Sequence, residues 1–168
     1  FIFVTLHRSE NVDSKKKLNK ILKCLSNIKK KIIFAIHPRT LNNIKKFNLK
    51  IEKNIKVVPP LSYKDTLINI YNSEFVFTDS GGLQKESYFL KKRCIVFRDK
   101  TEWREIIYPG ANMILNTNLD VKILKQKISN FKSTFVSKKK NIFGSRKIAF
   151  KIYQKIIKWK FFVYLGFL

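Results

Sequence analysis

At 168 residues, 45% of them hydrophobic, the chain is long enough for one well-packed domain and too apolar for a disordered tail or a fibre. Its 36 Lys+Arg against 11 Asp+Glu give a net charge of +25, which taken alone favours polyanionic partners. The lysines, however, are spread over almost every helical stretch, and Lys, Asn, Ile and Phe are abundant together, so the charge reads as a compositional bias that leaves salt-sensitive adhesion and a mild preference for anionic ligands.

In chain order, apolar β-like runs are predicted at 2–6, 31–36, 55–58, 75–79 and 94–98, with a weaker one at 113–115. Between them lie helical stretches at 14–29, 40–47, 63–72, 82–91, 102–107, 120–131 and 145–159. The first of these sets Leu18, Ile21, Leu22, Leu25 and Ile28 on one face with lysines opposite, and Asp13 or Ser14 can cap it. Most strand runs are continuously apolar, as strands covered on both faces are, so the pattern predicts a doubly wound, Rossmann-like parallel α/β sheet. One domain is expected over 1–160, followed by the apolar tail 161–168, whose eight residues are too few to span a bilayer. Cys24 and Cys94 form neither a disulfide framework nor a zinc site; two buried thiols fit a reducing compartment, the cytoplasm. The chain opens on Phe1 inside what already reads as an interior strand, as expected of a fragment whose upstream part is missing.

In such a sheet, ligands bind outside the carboxyl ends of the strands. The segments following the strands are His7-Arg8-Ser9-Glu10, His37-Pro38-Arg39-Thr40, Pro59-Pro60-Leu61-Ser62, Asp79-Ser80-Gly81-Gly82 and Arg98-Asp99-Lys100-Thr101-Glu102, and the fold brings all five to one edge. Ser80, Gly81 and Gly82 sit on a strand-to-helix turn, where a hydroxyl and two backbone amides can meet a phosphate. The other reading is a tight turn that uses glycine for its permitted dihedrals. Glu86, inside the following helix, suits sugar hydroxyls better than phosphate, or is a solvated helix residue. His7 either faces a ligand at the strand mouth or caps a loop; His37, fixed by the proline after it, reads more as structural. Two histidines without a carboxylate or cysteine cluster do not make a metal site, so neither metal nor cofactor is expected. The dinucleotide, P-loop and nucleophile-elbow glycine patterns do not occur.

The blocks VTLHRSENVD, IIFAIHPRT, NIKVVPPLSY, TDSGGLQKES, FRDKTEW and NIFGSRKIA, in this order, resemble the C-terminal half of the non-hydrolysing UDP-N-acetylglucosamine 2-epimerases over residues 2–155. The resemblance implies the second half of a glycosyltransferase-B-like architecture, in which two Rossmann-like halves enclose the substrate. It also implies an isomerase that interconverts UDP-N-acetylglucosamine and UDP-N-acetylmannosamine by eliminating UDP and adding it back. By resemblance, Ser80, Gly81 and Gly82 bind the diphosphate, Glu86 the ribose and the backbone around Leu61 and Thr66 the uracil. His7 matches the substrate-contacting catalytic histidine, and Trp103 stands close to the ligand. The implied partners are a UDP-sugar and the missing N-terminal domain, which carries the proton-transferring carboxylates; a homodimer stays open, and neither specific nucleic acid nor membrane is expected.

The chain departs from the family pattern at Trp103, where many members have Arg, at Lys85, at Lys91 and Arg93, and at Ser145-Arg146. Two alternatives stand beside the epimerase reading. One is a non-catalytic basic domain that binds polyanions or membrane surface; the other is a hydrolysing epimerase or glycosyltransferase relative.

Overall fold

The computed structural model describes residues 1–107, 110–116, 118, 120–131, 143 and 154. Its chain divides into two units, Phe1–Lys138 and Lys139–Leu168, and every element below belongs to the first. The helix expected at 145–159, the tail 161–168 and the boundary at residue 160 lie outside the described residues.

Strands and helices alternate as β1 (Ile2–Thr5), α1 (Ser9–Val12), α2 (Lys15–Ser26), β2 (Ile32–Ala35), α3 (Pro38–Lys46), β3 (Ile55–Val58), α4 (Tyr63–Asn72), β4 (Phe75–Thr78), α5 (Gly81–Phe89), β5 (Arg93–Val96), β6 (Asn112–Ile114) and α6 (Val121–Ser129). The strands form one parallel sheet in the order β3-β2-β1-β4-β5-β6, which is the doubly wound arrangement expected from the apolar runs. Chain order reverses direction between β1 and β4, so the crevice for a ligand opens where those two strands end.

Alternation along the strands divides the core between the two faces of the sheet. Val4, Phe34, Phe77 and Ile95 join Leu18, Ile21, Leu22 and Leu25 of α2 and Leu124 of α6 in one cluster. Phe3, Val76, Cys94 and Val96 join Ile70 of α4 in the other, with Leu83 of α5 packed against it. The register agrees, pairing Phe3 with Val76 and Val4 with Phe77. Phe77 is wholly buried and stacks on Phe97 at 5.3 Å between ring centroids. Truncating such a ring to alanine costs about 3–5 kcal/mol.

Three elements differ from the sequence expectation. Helix α2 starts at Lys15, capped by Ser14, and stops at Ser26, because the Asn54 amide donates to the carbonyls of Leu25, Ser26 and Ile28 and so takes up its last acceptors. The stretch at 102–107 contains only a 3₁₀ turn, Arg104–Ile106. Helix α1 is unanticipated, since four residues have no helical propensity worth reading. It forms on a contact from a distant strand end.

Candidate ligand site at the strand switch point

That contact is Asp79. The residue is fully buried at the end of β4, and its carboxylate accepts the backbone N–H groups of His7 (3.2 Å) and Arg8 (3.0 Å) together with the Asn11 amide (3.1 Å). Two of these donors lie at and just before the N-cap of α1 and the third is a side chain within it, so Asp79 anchors the start of a helix that has no side-chain cap of its own. The Asn11 amide also reaches the carbonyl of Phe97 (2.8 Å), and the Arg8 Nε donates to the carbonyl of Asp79 (2.9 Å). The His7 ring, 41% exposed, places Nδ1 3.3 Å from Asp79 Oδ1. The loop after β1 is therefore fixed on β4, with the imidazole left partly exposed.

One residue later the chain turns into α5. Thr5 and Thr78 hydroxyls meet at 2.8 Å across the two strand ends, and Thr78 Oγ1 also accepts the Ser80 N–H. Ser80 caps α5 through Leu83 N at 3.5 Å, a long contact that leaves its hydroxyl proton to donate. No hydrogen bond between described residues uses the N–H groups of Gly81 or Gly82.

Neither glycine is required by the backbone. Among the described residues the left-handed region holds only Asn48, Lys91 and Gly110, so the dihedral reading of this turn does not apply. Nor does packing exclude a side chain. A Cβ at Gly81 would lie 3.5 Å from Trp103 Nε1 and 3.7 Å from Glu102 Oε2; one at Gly82 would lie 3.8 Å from Ser80 Oγ and 4.0 Å from Glu86 Oε1. All of these are ordinary contacts, so neither the backbone nor the packing inside the chain accounts for glycine at these two positions.

Around the turn the sequence-predicted residues converge. The Trp103 indole donates to the carbonyl of Gly81 (3.0 Å), and its ring lies 4.0 Å beneath the Lys85 ammonium. The Gln84 side chain is buried, donating to the Ser80 carbonyl (3.3 Å) and accepting from the Thr101 hydroxyl (2.6 Å), whose oxygen in turn holds Trp103 N. Glu86 is half-buried rather than solvated; burial pushes its carboxyl above the usual range, and its Oε2 has no hydrogen-bond partner among the described residues. A desolvated acceptor left without a donor is costly unless a ligand supplies one. Beside the turn, Arg98 Nη1 donates to both oxygens of Glu102 (2.8 and 2.7 Å).

Leu61 and Thr66 are carried by a different crossover, in the loop after β3 and the first turn of α4, a helix that starts at the same edge and packs beside α5. His37 caps α3, its Nδ1 accepting Arg39 N–H at 3.1 Å, and its ring lies 5.9 Å from that of His7. Among the described residues no three His, Cys, Asp or Glu side chains are grouped as metal ligands, and no helix is long and apolar enough to cross a membrane.

Sequence reasoning passed over Asp79, Asn11, Gln84 and the Arg98–Glu102 pair as working residues. The first was legible in part, as an acid at a strand mouth; the others depend on partners 17 to 86 positions away, or on a rim geometry that spacing does not reveal.

Comparison with known proteins bears on this geometry directly. A relative from Methanocaldococcus jannaschii, a UDP-N-acetylglucosamine 2-epimerase, is 40% identical over 148 residues, covering 80% of this chain and 40% of its own. A UDP-2,3-diacetamido-2,3-dideoxy-D-glucuronate 2-epimerase from Pseudomonas aeruginosa is 38% identical over 124 residues, covering 72% and 34%. The crystal structure of the M. jannaschii UDP-GlcNAc 2-epimerase in complex with UDP-GlcNAc and UDP superposes with a TM-score of 0.80 at 37% identity, over 94% of this chain and 45% of that one. The chain thus spans less than half the length of these relatives. The family described as UDP-N-acetylglucosamine 2-epimerase matches residues 1–157, and the chain belongs to it.

Proposed function

We propose that this chain holds the UDP portion of a UDP-2-acetamido sugar, UDP-N-acetylglucosamine by the family's description, as the C-terminal half of a two-domain 2-epimerase. The observation that carries this reading is the Ser80-Gly81-Gly82 turn. Among the described residues its two amides have no partner, its glycines are required by neither backbone nor packing, and it lies at the strand switch point.

Ser80 Oγ and the amides of Gly81 and Gly82 receive the diphosphate at the positive end of α5. Glu86 Oε2 accepts from the ribose hydroxyls, and the backbone near Leu61 and Thr66 meets the uracil. Trp103 pins the first turn of α5 and sets the Lys85 ammonium beside the phosphates, in place of the arginine many family members have there. His7, oriented through Asp79, faces the departing diphosphate. Elimination of UDP builds negative charge on that leaving group, and fixed amides and cations stabilise it without reorganising. The groups that remove and return the proton at C2 belong to the N-terminal half, so the isolated chain binds without turning over. Its place of work is the cytoplasm, as its thiols suggest.

Calorimetric titration with UDP tests this. The chain is expected to bind UDP, and a Ser80→Ala, Glu86→Ala double variant to bind at least about tenfold more weakly, as loss of hydrogen bonds to charged groups implies. Equal heats for the two proteins would refute the assignment. A second reading, adhesion to polyanions, rests on a cleft of about 910 Å³ at the opposite end of the strands, lined by Lys29, Lys30, Lys31, Lys50, Lys53 and Lys56. Binding there would fall steeply with salt and ignore the uracil ring.

A further inference from the structure

We propose that Glu102 is an internal stand-in for the ligand's diphosphate, and that Arg98, which it holds, is a further ligand-binding residue released when the diphosphate arrives. The inference rests on the reading of the Ser80 turn as the diphosphate site.

Position comes first. Glu102 Oε2 lies 3.7 Å from where a Gly81 side chain would begin, so the carboxylate stands beside the first residue of α5. Both of its oxygens are bound by Arg98 Nη1, and Arg8 Nη2 lies 4.0 Å from Oε1. One carboxylate is thereby set among two guanidinium groups and a helix N-terminus, surroundings that suit a phosphate equally well. The two members of the pair differ in freedom. The Arg98 side chain is only 12% exposed and its buried Nε has no hydrogen-bond partner among the described residues, whereas Glu102 is 51% exposed. Arg98 is therefore the fixed member, and Glu102 is the one that can swing into water. Exchange of one carboxylate for a diphosphate keeps Arg98 paired and lets Glu102 be hydrated. The neighbouring acid, Glu10, lies 3.7 Å from Arg98 Nε on the side away from Nη1 and is not displaced. The pair holds Glu102's carboxyl below the usual range, Arg98 being the main cause, so the stand-in is charged at neutral pH.

The test is a titration of the full chain with UDP, with inorganic pyrophosphate and with uridine, for the wild type, Glu102→Gln, Arg98→Ala and the double variant. Removing an exposed competitor of this kind is expected to tighten UDP and pyrophosphate by about fivefold, leaving uridine unchanged. Arg98→Ala is expected to weaken both anions, and the gain from Glu102→Gln is expected to vanish in its presence. Glu10→Gln, which disturbs the same arginine at a different nitrogen, is expected to change the affinity by less than about twofold. A Glu102→Gln protein that binds UDP no better than the wild type overturns the inference and leaves the site assignment intact. So does a gain that persists without Arg98, which would make Glu102 a source of general repulsion. If neither UDP nor pyrophosphate binds any of the four proteins, the site assignment falls, and this inference with it.

Discussion

Two carboxylates at the same sheet edge are surrounded by N–H donors, and they do opposite work. Asp79 is wholly buried and accepts from two backbone amides and the Asn11 side chain, with His7 Nδ1 3.3 Å from its Oδ1. Glu102 is half exposed and bound only through side chains. A buried charge whose partners are fixed is structural, because taking either side away strands the other out of water. A rim pair is worth little to stability and can be traded for a ligand. Burial, rather than charge or hydrogen-bond count, separates the frame of the site from its exchangeable surface.

The sharpest way to break this contrast is to remove each acid in turn. Asp79→Ala is expected to destabilise the chain by about 3–5 kcal/mol in urea denaturation, since His7, Arg8 and Asn11 lose a common acceptor. Glu102→Ala is expected to stay within about 0.5 kcal/mol of the wild type. Comparable losses at the two positions would erase the distinction.

The glycines sharpen it from the other side. With no positive φ and room for a methyl at both, Gly81→Ala and Gly82→Ala are expected to leave stability unchanged or raise it by up to about 1 kcal/mol. If the diphosphate packs against this turn as proposed, a methyl at either position crowds it, so UDP affinity is expected to fall by roughly tenfold, the size of one lost charged hydrogen bond. A variant that is destabilised and binds normally would return the turn to a purely structural role.

The smallest effect concerns Glu86. Burial raises its folded-state pKa above the unfolded value, so between those values the native state holds more protons and stability falls as pH rises. Glu86→Gln is therefore expected to melt slightly higher than the wild type at pH 7, with the advantage shrinking on acidification and disappearing well below the ordinary glutamate value, where both states of the wild type are protonated. An advantage that is constant with pH would locate the effect elsewhere.

How much of this was legible in the sequence follows the range of the interactions. Continuous apolar runs such as Phe75-Val76-Phe77 locate strands because burial on both faces needs nothing from afar. Ser80-Gly81-Gly82, His7 and Glu86 could be picked out because each follows a strand or sits at a recognisable spacing beside one, whereas Leu61, Thr66 and Trp103 came only from the family resemblance. Helix α1 could not, since its four residues are held by an aspartate about seventy positions away. The same holds for Gln84, whose buried side chain links Ser80 to Thr101. Which acid is buried and which lies on the rim is decided by the assembled sheet, and no local pattern separates Asp79 from Glu102.

The most direct test of the central claim is amide resonance mapping of the chain during titration with UDP. The account predicts that the N–H signals of Gly81 and Gly82 move most, followed by those of Leu83 and His7, while the lysine-lined cleft around Lys30 and Lys53 is silent. Shifts concentrated in that cleft, with the two glycine amides unmoved, would contradict it.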